Sequence, residues 1–168
     1  MTLDPESISG DEALSPYWNA HCAEMQSMWW LGRIGTRVGG LNPLFLGDAL
    51  LACQPVCEAM HKIGGNFILT AKPASHKALY EGLSRFRPRT LTKTVTEGVR
   101  KRRTYRRSYA WQADLRIRDG AAALPVTWVS LEIRNMETGT ITCRTAFVTD
   151  LAVTHYNIEG IVAWGRLR

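Results

Sequence analysis

Near Arg87 the hydrophobic pattern of this chain changes its period, and that change limits what the chain can fold into. Upstream, apolar residues fall in short runs closed by glycine or proline and in stretches of helical spacing. Downstream, Thr, Val, Tyr and Arg alternate from Leu91 to Tyr109, with Glu97-Gly98 between. Helical spacing does not suit a strand, and strict alternation does not suit a helix. The pattern predicts an α/β unit that leads into a β-rich one. A length of 168 residues with 45% hydrophobic content suits one domain with a real core and argues against a disordered chain.

Residues 1–18 read as a polar, acidic, flexible arm. Asn19 to Leu31 lacks proline and glycine and predicts a helix that stops at Gly32, followed by a loop marked by Gly35, Gly39 and Gly40. Leu44-Phe45-Leu46, closed by Gly47-Asp48, has the look of a buried strand that ends at a carboxylate. Pro55 opens a helix that runs to about Ile63 and stops at Gly64-Gly65. Phe67 to Ala71 predicts a second strand closed by Pro73, and Ser75 is placed to cap a helix to about Ser84. Strand, helix, strand, helix implies a parallel strand pair. Further strands are expected at Trp111 to Ile117, Thr127 to Arg134 and Thr140 to Val148, with turns at Asp119-Gly120 and Glu137-Thr138-Gly139. Thr154 is placed to cap a helix from His155 to the end. The expected units are thus 1–18, 19–88, 89–150 and 151–168.

Charge is strongly polarised along the chain. Arg85 to Arg118 holds 12 basic and two acidic residues, whereas the remainder has 9 basic and 13 acidic. A field of that density favours a polyanion, and Tyr105, Tyr109 and Trp111 interleave the charges with rings suited to stack on bases or to pack inward. A solvated basic hairpin has the same composition. No apolar run approaches the roughly 18 residues of a membrane span, and the acidic N-terminus lacks a basic start and an apolar core. A cytoplasmic setting without membrane partners is therefore expected, in which the four cysteines are thiols.

The segment LFLGDALLACQPVCEAMHKIGGNFILTAKPASHKALY, Leu44 to Tyr80, resembles the central part of bacterial insertion-sequence transposases of the DDE superfamily. Upstream, LDPESI and HCAEMQSMWWL are similar to the segment before it. Downstream, FVTDLAVTHYNIEGIVAWGRLR is similar to the approach to the family's last catalytic motif. The most specific matches are Gly47-Asp48, Cys53-Gln54-Pro55, Lys72-Pro73 with Ser75-His76, and Gly165-Arg166.

The resemblance implies a ribonuclease H-like core that carries an all-β insertion, here Leu91 to Val148, and a C-terminal helix that returns to the core. In such a core two aspartates and a glutamate hold two Mg²⁺ ions for phosphodiester cleavage and strand transfer. Asp48 matches the second aspartate, as catalytic residue and metal ligand; a carboxylate that only caps the following turn is the other reading. Arg168 resembles the arginine before the catalytic glutamate, which would then fall beyond the chain, and the first aspartate would precede Met1. The expectation is a chain truncated at both ends, with an unpaired sheet edge and catalytically incomplete alone. DNA at insertion-sequence ends is the implied partner, contacted by Lys72, Arg100, Lys101, Arg102, Arg103, Tyr105, Arg106, Arg107 and Arg168. The alternatives are a non-catalytic DNA-binding or partner-binding module that modulates a full-length transposase or self-associates, and a degenerate remnant.

Other constellations carry less. Cys53, Cys57 and His61 have a spacing that zinc ligands use, but Pro55 places Cys53 outside the regular helix, no fourth ligand is evident, and buried thiols are common. His21, His76 and His155 have no paired nucleophile signature. Asp150 and Glu159 read as turn or helix-surface residues, and Trp29-Trp30 and Trp164 as packing aromatics.

Overall fold

The computed structural model describes residues 16–38, 40–98 and 102–167. Ten elements follow in order: α1 (Pro16–Val38), β1 (Leu44–Gly47), α2 (Gln54–Lys62), β2 (Asn66–Thr70), α3 (Lys77–Leu83), β3 (Arg89–Glu97), β4 (Arg103–Arg116), β5 (Pro125–Asn135), β6 (Ile141–Thr149) and α4 (Ile158–Gly165). The six strands form one mixed, mostly antiparallel sheet in the order β1-β2-β6-β5-β4-β3. Strands β1 and β2 run parallel, Leu44 opposite Asn66, because α2 crosses over between them. Strand β6 returns antiparallel to β2, with Thr70 opposite Phe147. The alternating segment after Arg87 thus extends the same sheet as the first two strands.

Helices cover both faces. Val56, Cys57 and Met60 of α2 and Leu79 of α3 pack with Phe67, Leu69, Leu115, Val126, Trp128 and Val148 on one face. Ile158, Ile161 and Val162 of α4 pack with Ile68, Tyr109, Trp111, Val129, Leu131 and Phe147 on the other. The alternation of side chains along β4 and β5 feeds both cores at once.

Several sequence expectations shift. The helix expected to stop at Gly32 runs on to Val38: Gly32 faces open space, and Gly35 lies so near Ile63 that a Cβ there would come within 2.5 Å of it. Helix packing, not chain termination, explains Gly35. The helix already begins at Pro16, inside the span read as an arm, while residues 1–15 lie outside the described residues. Strand β1 is an edge strand and only partly buried, because it has a neighbour on one side alone among the described residues. Trp111 to Ile117 is largely the continuation of β4 past a bulge between Gln112 and Leu115, where Asp114 has φ +59°. Helix α3 is capped at His76 rather than Ser75, and α4 starts at Ile158 behind Asn157, whose Oδ1 accepts the Thr154 N–H at 2.8 Å. Trp29, Trp30 and Trp164 are not core: they are 64%, 51% and 47% exposed. Trp30 only edges Phe45, and Arg33 lies over Trp29.

Candidate functional site

Two parallel strands that end side by side bring the loops after them together, and the sequence motifs of these loops are spent on joining them. Asp48 follows β1, exposed, and its Oδ1 accepts the backbone N–H of Leu50 at 3.0 Å, so it caps the turn into α2. His76 is buried where the next loop meets that turn. With its proton on Nε2, it donates to the Ala52 carbonyl at 2.9 Å and accepts the Lys72 N–H on Nδ1 at 3.2 Å. One imidazole thus ties the loop after β1 to the loop after β2. Tyr80 from α3 donates to the Ala71 carbonyl at 3.1 Å and holds the second loop from its far side.

Gln54 makes the strongest of these ties. Its Nε2 donates to Glu58 Oε1 at 2.7 Å and to the Ala122 carbonyl at 2.8 Å. Its Oε1 accepts from Arg118 Nε at 2.7 Å and from the Leu124 N–H at 3.0 Å. The amide therefore fills four bonds and fastens the start of α2 to the loop between β4 and β5. Sequence reasoning noted Cys53-Gln54-Pro55 only as a motif, and nothing local to it shows that a partner waits near residue 120.

The other carboxylates do not join Asp48. Asp150 follows β6, which is antiparallel to β2, so it lies at the opposite end of the sheet. There its Oδ1 accepts the Phe67 N–H at 2.9 Å, and its Oδ2 is 2.8 Å from His61 Nε2. Glu159 on α4 pairs with Lys93 of β3. His61 is thus engaged with Asp150, and Cys57 is fully buried, its thiol pushed far up by burial first and by Cys53 next. A thiol so held in its neutral form is a poor zinc ligand. Among the described residues no three His, Cys, Asp or Glu side chains come together, so the centre of two aspartates and one glutamate that the resemblance implies is not assembled from them.

The basic residues divide between two faces. In β4, Tyr109 and Trp111 turn inward under α4, which resolves the choice between stacking and packing for these two rings, and alternation puts Arg103, Tyr105 and Arg107 on that same side. There Arg107 pairs with Glu97, Arg103 lies opposite Glu97 in register, and Lys93 pairs with Glu159. Arg106 points to the other side, with Arg134 opposite it on β5. On that side Glu132 accepts from both Arg134 at 3.1 Å and Arg144 at 2.6 Å. The Arg144 guanidinium, then that of Arg134, holds the Glu132 carboxyl below its usual range. Neither Arg134 nor Arg144 belongs to the charge cluster of the sequence, and only the strand register reveals them as its neighbours. Arg102 is exposed before β4; Arg100, Lys101 and Arg168 lie outside the described residues.

Where β2 ends and its chain leaves the sheet, a groove of about 580 Å³ opens over β5 and β6. Lys72, Pro73 and Tyr80 form one wall, Trp128, Ser130 and Ala146 line it along the sheet, and Glu132 and Arg144 stand with them. The Trp128 indole N–H lies near the Tyr80 hydroxyl but short of hydrogen-bonding geometry. No helix among the described residues is long and apolar enough to cross a membrane. No protein-family model matches this sequence, and no curated protein matches it.

Proposed function

We propose that this chain is the DNA-handling part of a transposase core of the DDE kind, with Asp48 as one of its metal-binding carboxylates. The observation that carries the reading is the setting of Asp48: exposed, directly after β1, at the carboxyl end of a parallel strand pair with α2 crossing between. Ligand-binding groups of open α/β sheets gather at such ends. A ribonuclease H-like core would have a further strand beside β1, and β1 offers an unpaired edge on that side among the described residues.

A two-metal centre needs about three carboxylates from different elements. With Asp150 at the far end of the sheet and Glu159 held by Lys93, the described residues do not fit such a centre by themselves. Metal-dependent cleavage therefore depends on carboxylates beyond these residues, and the proposed contribution of this chain alone is DNA binding through its basic sheet. The reading predicts that a fluorescently labelled DNA duplex binds the purified chain, with affinity that falls steeply as salt rises. Absent or salt-insensitive binding, followed by anisotropy, overturns it.

A second reading, a module that docks on a full-length transposase or on itself, is favoured by the same edge. Leu46, Leu50 and Trp30 are exposed on β1 or near it, and exposed apolar strand edges invite pairing.

A further inference from the structure

Cations spread over both sides of the β3–β6 sheet, and the two sides set their carboxylates against them differently. Under α4, Lys93 has Glu159 and Arg107 has Glu97, while Arg103 lies opposite Glu97 in register. On the opposite side, in the part that α2 and α3 leave open, the strands present a field of hydroxyls: Thr92 and Thr94 on β3, Thr104 and Ser108 on β4, Ser130 on β5. Arg106, Arg134 and Arg144 stand among them, and the strands' carboxylate on that side is Glu132, already shared by two of the three. Lys72 adds a further cation at the groove mouth. Neither Lys72 nor Arg106 takes part in an ion pair among the described residues.

Arg106 directly opposite Arg134 is an unfavourable cross-strand pair in a protein left to itself. An anion laid between the two converts that repulsion into attraction, and guanidinium groups match phosphate oxygens in geometry. We infer that a DNA backbone lies across this open face, its phosphates held by Arg106, Arg134 and Arg144 and, at the groove, by Lys72. Serine and threonine hydroxyls of β3 to β5 supply neutral donors along the same path. The inference rests on the DNA-binding reading above and assigns it to one side of the sheet, away from Arg103, Tyr105 and Arg107.

Two double variants of the full chain test it. Lys72→Gln with Arg106→Gln breaks no ion pair, so the fold is retained, which circular dichroism verifies. Each lost phosphate contact removes about one from the slope of log affinity against log salt, so this variant should bind every duplex more weakly, with a slope shallower by about 2. Lys93→Gln with Arg107→Gln, on the α4 side, should leave slope and affinity near those of the parent. If the α4-side variant loses binding and the open-side variant does not, the face assignment is wrong while the DNA-binding reading stands. If the parent chain binds no DNA, both fall. Inorganic phosphate that displaces DNA at millimolar concentration would overturn the backbone assignment in favour of a small-anion site.

Discussion

Replacing Gln54 by Ala removes four hydrogen bonds from a buried point and leaves the Leu124 N–H and the Ala122 carbonyl facing a gap. A net bond contributes about 0.5–1.5 kcal/mol, and a buried group left without its partner costs about 1–3 kcal/mol. Glu58 and Arg118 are exposed and regain water, so most of the loss comes from the two backbone groups. The expected cost is about 2–4 kcal/mol, which for a chain of this size lowers Tm by roughly 4–16 °C. Thermal unfolding followed by circular dichroism, with urea titration as a second reading, measures it. Glu58→Ala is the control, because it removes one partner that is exposed and should cost under about 1 kcal/mol. Equal costs for the two variants would refute the argument that Gln54 fastens α2 to the β4–β5 loop.

Three shorter predictions follow from the same packing. Gly165→Ala places a methyl 2.8 Å from a Phe147 ring carbon, so it should destabilise by about 1–3 kcal/mol in urea, and a neutral result would contradict the close approach of α4 to β6. In native protein at pH 8, iodoacetamide should modify the half-exposed Cys53 and Cys143 and spare Cys57, whose thiol burial pushes far up; mass spectrometry that finds Cys57 labelled before unfolding would contradict this. Glu132 titrates below its ordinary value in the folded state because of Arg144 and Arg134, so its contribution to stability is present above the unfolded value and is lost as pH falls through the folded one. A carbon-13 titration should show that lowered midpoint and its return upward in Arg144→Gln, and an unshifted midpoint would contradict the three-residue ion cluster.

Much of the fold was legible because local pattern and global structure agree. The Leu44 run, Pro55, Gly64-Gly65 and Pro73 punctuate β1, α2 and β2 within three residues of their bounds. The alternation after Leu91 marks the hairpin, while Tyr109 and Trp111 stayed open between stacking and packing until their place under α4 decided it. Gly32 misled because a glycine in open space is tolerated inside a long helix whose other residues, Leu31 and Ile34, pack on α2 and the sheet. Partners distant in sequence were not legible. Gln54 reaches Arg118 and Leu124, His61 reaches Asp150, and Arg106 meets Arg134 only through register. The candidate site suffered most from this, since a run of basic residues read along the chain hides that alternate members point to opposite faces and meet different carboxylates there.

Lysine acylation with an N-hydroxysuccinimide ester, with and without bound duplex DNA, tests the central claim most directly, because Lys72 and Lys93 stand on opposite faces of the sheet. Lys72 stands at the groove and Lys93 on the α4 side. Mass spectrometry should find Lys72 protected severalfold by DNA and Lys93 labelled alike in both samples. Protection of Lys93 with Lys72 unchanged, or of neither while DNA is bound, would contradict the account.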